Sequence, residues 1–480
     1  MDRSISRRDF GGLLTGAAST AILSAVLPAP AVWAQGRSSS ASDLASNLQG
    51  IAGEVIVDEA SRAAYADDYG RIVHKIPDAV LVPRDSGDLV KLVQYANKSK
   101  TKIGIRGMGH SMLGQAQIDR GVLVDMAALD SISILDNDRV EVGAGSTWGP
   151  VMSETAANKR TLPVINDTFL SVGGSLSTAG FGPTTWNKGL MVDNTLELEV
   201  VTGAGELVRC SETTNQDLFL AVLSGLGQCA IITRAVMKQV AAPTHVLYIK
   251  IFYDDDAIRA AHDLAFLARD GRFNHLDLRS RTYPFGGLEY YIEGGVFYDA
   301  PNEPKLDDLK KGLSASSFEP KTWTYEEYYR RAESCYSCVP APKPSLYLTV
   351  PASKFDVFVK NTLSDPSTSA YIAPWFSIWR RDAQSRPLAR VADEDFIYRT
   401  QFNRVLPNSA DVKAFLALNR ALYEKVRDLG GTRLTTSAIP FEPKDWERHY
   451  GAAWPAFKAT KEKYDPGNVL GSSVNVFGKG

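Results

Sequence analysis

An α+β fold in two domains is what this sequence predicts, on three observations. The chain has 480 residues, more than one hydrophobic core ordinarily serves, and 44% of them are hydrophobic, enough to fill two. Residues 77–105 read as strand, helix, strand, the opening of a mixed domain. From about Ala242 the pattern shifts to longer amphipathic helices among aromatic-rich strands, the mark of a second layer with its own core. Charge is nearly balanced, 53 basic against 55 acidic residues for a formal −2, with no long basic stretch, which argues against nucleic acid as a partner.

The elements follow in order. Ser6-Arg7-Arg8-Asp9-Phe10 precedes an uncharged run from Gly11 to Val32 and the small-residue site Ala31-Val32-Trp33-Ala34. Residues 1–34 therefore read as a twin-arginine export signal cut after Ala34, which places the mature protein in the periplasm or outside the cell. A membrane anchor is the poorer alternative, because Gly, Ser, Thr and two prolines interrupt the run; no stable membrane insertion is expected. Residues 35–47 form a Ser/Ala-rich spacer, and the first folded domain spans 48–241. Pro77–Pro83 reads as a strand, and Ser86 is placed to cap a helix whose Leu89, Val90, Leu92, Val93 and Ala96 recur at helical spacing. Lys102–Ile105 is the next strand. Thr195–Val201 and Glu206–Cys210 alternate apolar and polar residues about a glycine-rich turn, which makes a hairpin. The second domain spans 242–420, with a helix over Asp255–Arg269 and a strand over Leu288–Tyr298; residues 421–480 return to the first domain.

Two segments carry chemistry on their own residue types. Arg106-Gly107-Met108-Gly109-His110-Ser111 sits between strands, where glycines let successive backbone N–H groups form an anion-binding nest and a histidine stands ready to bond a ligand. Asn166 to Gly180 packs three glycines among hydroxyl residues with little helical periodicity, and reads as a loop that touches a ligand through backbone and hydroxyls. Asp167, a carboxylate at the mouth of that loop, is a candidate proton acceptor, against the alternative of a loop-stabilising Asx turn.

Three blocks in register resemble the cytokinin dehydrogenases, a branch of the vanillyl-alcohol-oxidase or PCMH-type FAD flavoproteins. They are Arg106–Gln117 with Val122–Met126; Val172-Gly173-Gly174-Ser175-Leu176-Ser177-Thr178-Ala179-Gly180; and Thr195–Glu206 with Asp217–Ala235. The resemblance implies the PCMH-type FAD-binding fold, with a substrate domain of antiparallel sheet flanked by helices. It implies FAD bound covalently through His110. It also implies cofactor contacts from Arg106, Gly107, Met108, Gly109, Ser111, Gln115, Asp167, Thr168, Val172, Gly173, Gly174, Ser175, Ser177, Gly180, Ile231 and Ile232. Asp167 matches the family's proton-accepting aspartate, where berberine-bridge relatives tend to carry a cysteine, and so implies a single covalent link. Glu293, in Tyr291-Ile292-Glu293-Gly294, matches the family's glutamate near the substrate entrance; the alternative is an edge-strand residue pointing to water. Trp379 is a weaker candidate for a ring-binding slot, core packing being the commoner role.

By the same resemblance, the expected reaction takes a proton from the secondary amine of an isoprenoid adenine onto Asp167 and hydride onto the flavin. The imine hydrolyses to adenine and an aldehyde, and a quinone-like acceptor or oxygen receives the electrons. The sequence also departs from the family. Ser437-Ala438-Ile439-Pro440-Phe441 stands where Y-L-P-H-Y is usual, and Gly471-Ser472-Ser473 where P-G-Q is usual. The rivals are therefore a same-fold flavin oxidase or dehydrogenase acting on another amine, alcohol or carbohydrate, and a periplasmic protein that binds flavin or ligand without turnover. Cys335-Tyr336-Ser337-Cys338 is expected to close a local disulfide, Cys210 and Cys229 to pack, and no metal site is proposed.

Overall fold

Two sheets are built by the first half of the chain. The computed structural model describes residues 46, 48, 50–282, 287–331, 338–363, 373–407, 409–471 and 473–478, and all of them belong to one compact unit. The expected export signal and nearly all of the spacer lie outside the described residues. A four-stranded sheet has the order Glu54–Ile56, Ala79–Val82, Val122–Asp125, Ile103–Arg106; the first pair is antiparallel and the other two are parallel. The expected strand–helix–strand unit is present, with the helix Ser86–Ser99 as crossover, but Val122–Asp125 inserts between its two strands. Val122, Leu123 and Val124 have no exposed surface, and a parallel strand covered on both faces draws so apolar a run to the sheet centre. The helix is capped not by Ser86 but by Asp85, whose carboxylate accepts from the Gly87 N–H at 2.8 Å.

The second sheet has five antiparallel strands in the order Ile132–Ile134, Arg139–Gly143, Ala230–Lys238, Thr195–Thr202, Leu207–Ser211. The expected hairpin is its last pair, turned at Gly205 with φ of +85°. Residues 166–180 are not wholly loop, as read above: Val172–Ser177 forms a short helix. Gly173 has no side chain and so allows close approach: a Cβ there would lie 2.9 Å from the Ala144 Cβ. Tertiary contact, not periodicity, makes that turn helical.

An eight-stranded antiparallel sheet follows, ordered Ser317–Thr324, His245–Phe252, Leu288–Tyr298, His275–Thr282, Ala373–Arg380, Phe396–Asn403, Leu346–Pro351, Thr432–Arg433. Its strands alternate with period two. Ile249, Ile251, Leu276, Leu278, Ile292, Phe376, Ile378 and Tyr398 bury one face, where the helices Ala257–Asp270 and Phe355–Leu363 pack. Phe355 stacks on Tyr398 there at 3.8 Å between ring centres. The opposite face carries His275, Asp277, Arg279, Glu293, Ser377 and Arg399, brought level by the registers Asp277↔Glu293 and Ser377↔Arg399. The helix Val412–Asp428 runs through position 420, and Thr432–Arg433 still belongs to this sheet. No helix among the described residues is long and apolar enough to cross a membrane.

Candidate active site

The loop after Ile103–Arg106 is held from behind by residues 66–73. The Tyr69 N–H donates to the Gly109 carbonyl at 2.8 Å and the Gly70 N–H to that of Ser111 at 2.9 Å. The buried Asp68 carboxylate accepts from the Ser111 hydroxyl and the Gly114 N–H, both at 2.7 Å. Arg106 Nη1 donates to the Asp67 carbonyl at 2.9 Å, and Gln115 Oε1 accepts from the Leu113 N–H at 2.8 Å. The loop's polar side chains are thus spent on its shape. Met108 is exposed.

What the loop leaves open is backbone. The N–H groups of Gly107, Met108 and Gly109 have no hydrogen-bond acceptor among the described residues. Gly109 has φ of +63°, and a Cβ there would lie 2.4 Å from the Arg106 guanidinium. Unaccepted amide donors along a left-handed turn make a nest that suits a pyrophosphate, and in this respect the residues present fit FAD. Replacing Gly109 with alanine is expected to cost about 1–2 kcal/mol of left-handed strain and to displace Arg106. The flavin-to-protein absorbance ratio of the purified variant should therefore fall; a ratio equal to that of the wild type would show that this turn does not hold the cofactor.

His110 lies between aromatic rings. Its imidazole stacks on Tyr69 with centres 3.9 Å apart, and Phe169 stands 5.2 Å away on the other loop. The Cys338 sulfur is 3.7 Å from Nε2. Burial, then the Lys343 ammonium, lowers the imidazole to about 4, so it is uncharged at neutral pH. Cys338 is disulfide-bonded, and Cys210 and Cys229 are free and buried; Cys335, the expected partner, lies outside the described residues.

Asp167 is fixed by backbone and left free in its side chain. The Gly149 N–H donates to the Thr168 carbonyl at 2.7 Å, the Trp148 N–H to that of Leu170 at 3.1 Å, and the Leu170 N–H to that of Asp167 at 3.1 Å. The side-chain bond to the backbone at this point is made by Asn166, whose Oδ1 accepts from the Asp167 N–H at 2.8 Å. No donor meets the Asp167 carboxylate among the described residues, so the loop-stabilising role belongs to its neighbour. Asp167 is exposed by surface area, yet protein encloses it closely enough that burial raises its carboxyl above the ordinary value, against Arg279, Arg331 and Arg399. Enclosure governs the charge here, since the field of the surrounding low-dielectric protein acts whether or not a water can touch the oxygen. A cavity of about 350 Å³ beside this loop is lined by Gly149, Pro150, Ser153, Thr168, Phe169 and Arg330.

Facing Asp167 is the polar side of the eight-stranded sheet. Glu293 lies on an inner strand, flanked on both sides, so the edge-strand alternative does not hold. Arg279 Nε approaches Glu293 at 3.0 Å, its Nη2 donates to Asp277 at 3.2 Å, and its guanidinium lies 3.9 Å from the Trp375 ring centre. The Glu293 contact is electrostatic, since Nε has no aligned hydrogen bond. Burial alone would raise Glu293, but Arg279, the Tyr248 hydroxyl, Arg331 and Lys250 outweigh it and hold the carboxyl below its ordinary value. Arg399 donates to the Ser377 hydroxyl at 2.8 Å, and Ser377 in turn donates to Asp277. His275, Asp277 and Glu293 bring potential ligand atoms within 4.8 Å of one another, but the cation among them is already Arg279.

The remaining expected cofactor residues divide by what they touch. The Ser175 hydroxyl accepts from Trp148 Nε1 at 2.9 Å and donates to the Ser171 carbonyl at 2.9 Å, and the Ser177 hydroxyl donates to the Gly173 carbonyl at 2.8 Å. Those groups shape the loop. Val172, Ile231 and Ile232 bury their side chains in the core, leaving only backbone for a ligand; Gly180, at φ of +61°, accepts from the Met191 N–H. Thr168 is buried at the cavity rim. Trp379 is 1% exposed and packs near Phe181, whereas half-buried Trp375 on the same strand face reaches the polar network. Arg279, Asp277, Ser377 and Arg399 were missed from the sequence. The usable signal was the alternation His275-Leu276-Asp277-Leu278-Arg279, which puts every polar residue on one face of a strand.

Comparison with known proteins points the same way. Residues 77–211 match the profile of an FAD binding domain, and residues 286–477 match that of "Cytokinin dehydrogenase 1, FAD and cytokinin binding". An uncharacterized oxidoreductase, ORF5 in the fasciation locus of Rhodococcoides fascians, is 30% identical over 420 residues, covering 84% of this chain and 94% of its own. Cytokinin dehydrogenase 2 of Arabidopsis thaliana is 29% identical over 462 residues, covering 86% and 92%. A solved chitooligosaccharide oxidase shares the fold, with a TM-score of 0.73 at 18% identity over 91% of this chain and 98% of its own.

Proposed function

Because the chain belongs to the family of FAD-dependent oxidoreductases that includes the cytokinin dehydrogenases, we propose that it oxidises the secondary amine side chain of an isoprenoid adenine. The observation that carries the reading is the Asp167 carboxylate, met by no hydrogen-bond donor among the described residues and raised by burial, on a loop that shares a contact with His110 through Phe169. Bound FAD supplies the two-electron acceptor, and its attachment through His110 is part of this proposal. Asp167 Oδ accepts the amine proton as the neighbouring C–H bond breaks. Glu293, kept ionised by Arg279 and Tyr248, orients the substrate from the sheet side, and Trp375 offers a flat face beside it. The imine product hydrolyses to adenine and an unsaturated aldehyde. We also propose a quinone-like acceptor or oxygen as electron sink, export by the twin-arginine route to the periplasm, and a division of labour between a cofactor domain over 48–241 and a substrate domain over 242–420.

An anaerobic titration of the mature protein with isopentenyladenine tests this. Stoichiometric bleaching of the flavin band is expected. A yellow protein that does not bleach would move the substrate to another amine, alcohol or carbohydrate. That second reading is favoured by the wall over Ser437–Phe441, which is organised around Arg433. This buried guanidinium donates to the Ser437 and Ile439 carbonyls at 2.8 and 2.9 Å and lies 4.3 Å from the Phe441 ring centre, where the family usually presents a tyrosine and a histidine.

A further inference from the structure

Resting on the proposed attachment of FAD through His110, we infer that Lys343 is a positioning residue for that attachment, clamping Tyr69 against the imidazole from the far half of the chain. Lys343 is 1% exposed and precedes the strand Leu346–Pro351. Its ammonium donates to the carbonyls of Tyr69 and Ala341, each at 3.0 Å, and of Val339, and its own N–H donates to the Gly70 carbonyl at 2.8 Å. Nζ lies 4.6 Å from the Tyr69 ring centre, and that ring stacks on His110 at 3.9 Å and 21°. Cys338, five residues earlier on the same stretch, sets its disulfide sulfur 3.7 Å from Nε2. One loop thus fixes the plane of the imidazole through Tyr69 and meets one of its nitrogens through sulfur.

A buried ammonium is costly unless its protons are accepted, and three carbonyls accept them here. The position of that charge then acts on His110. Among the described residues, Tyr69, Phe169, Cys338 and Lys343 face the imidazole. Among charges on the same elements, Asp68 is engaged by Ser111 and Gly114, and Asp167 lies two residues beyond Phe169. After burial, Lys343 is the group that disfavours the imidazolium. Attachment needs the uncharged ring, because a nitrogen lone pair makes the new bond. That bond joins the nitrogen to the flavin 8α-methyl carbon. The methyl loses one hydrogen and the imidazole its N–H proton, and the electron pair released reduces dioxygen to hydrogen peroxide.

The test uses full-length protein made without riboflavin and mixed with FAD in air. Attachment is followed by the flavin fluorescence retained after denaturing electrophoresis, across the acid range. Lys343→Met is expected to slow attachment roughly ten- to a hundredfold, the loss typical of a reacting group that has lost its alignment. With the neighbouring cation gone, the acid limb should move up from about 4 toward the ordinary imidazole value. Lys343→Arg, which keeps the charge, is expected to leave the acid limb in place and to guard against a Met variant that does not fold. Wild-type rate in Lys343→Met, slower attachment with an unmoved acid limb, or an Arg variant whose acid limb moves as in the Met variant would each overturn the inference. If the wild type retains no flavin after denaturation, or His110→Ala retains it, the underlying attachment reading fails instead.

Discussion

Asp167→Asn is expected to lower kcat/KM by about 10²–10⁴, the usual worth of a positioned general base, while the protein stays yellow. Asparagine matches aspartate in shape but cannot take a proton at neutral pH, and the backbone bonds that place the residue involve the amides and carbonyls of 148–149 and 167–170 rather than its carboxylate. The fold and the flavin content should therefore survive. The pH dependence has a definite sign. Burial raises the Asp167 carboxyl above the ordinary aspartate value, so the base is protonated and idle in acid, and kcat/KM should rise as pH passes that raised midpoint. In the variant this limb should vanish. Arg279, Arg331 and Arg399 pull the other way, so Arg399→Gln is expected to shift the limb to higher pH. Steady-state rates over a pH series decide it: a variant with wild-type kcat/KM, or one retaining the acid limb, would remove Asp167 from the proton transfer.

How far the sequence could be read depends on the range of the interaction concerned. Leu288–Tyr298 was legible as a strand because aromatic and β-branched residues crowd it, and the helix over 86–99 because its apolar residues repeat at helical spacing. The nest at Gly107–Gly109 was legible because it is local: two glycines and a turn contain the whole device. The strand Val122–Asp125 was legible too, but its insertion between its parallel neighbours was not, because sheet order is settled by which run is most apolar across the whole domain. The helix Val172–Ser177 escaped for a related reason: its glycines have poor intrinsic helicity and gain it by packing on Ala144.

The site shows the same division. His110 and Asp167 stand in dense local motifs, whereas Arg279, Ser377 and Arg399 come from three strands far apart in sequence and meet only through register. Lys343 and Cys338 reach His110 across more than 200 positions, a separation at which sequence patterning carries no signal. The polar network of Asp277, Arg279, Ser377 and Arg399 on one sheet face is what a lone reading of Glu293 could not supply: a cation, Arg279, that makes a buried carboxylate tolerable.

The largest stability effect is expected at the other end of the chain, from Asp465→Ala. Asp465 is 2% exposed and Lys461, one helical turn earlier, 5%; the two are ion-paired. Asp465 also accepts from the N–H groups of Val469 and Leu470 at 2.9 and 3.0 Å, and Lys461 donates to the carbonyls of Gln228 and Leu470 at 2.8 and 3.1 Å. The turn so formed is fastened to the cofactor half: the Ile103 N–H donates to the Val469 carbonyl at 2.9 Å, and Gln228 Nε2 to that of Gly471 at 3.1 Å. Ile103 begins the strand that leads into the Gly109–His110 loop, so the pair braces the site from beneath. Removing one partner leaves a buried charge uncompensated, a loss of about 3–5 kcal/mol. Two amide donors lose their acceptor as well. The denaturation midpoint should fall sharply in Asp465→Ala, whereas Lys461→Met with Asp465→Leu, which removes both charges, should recover part of the loss. If the single variant melted with the wild type, the ion pair would be a bystander and the return of the C-terminal segment would rest on Val469 and Leu470 packing alone. If the double variant were no better than the single, the two backbone N–H donors left without an acceptor, rather than the stranded ammonium, would account for the cost.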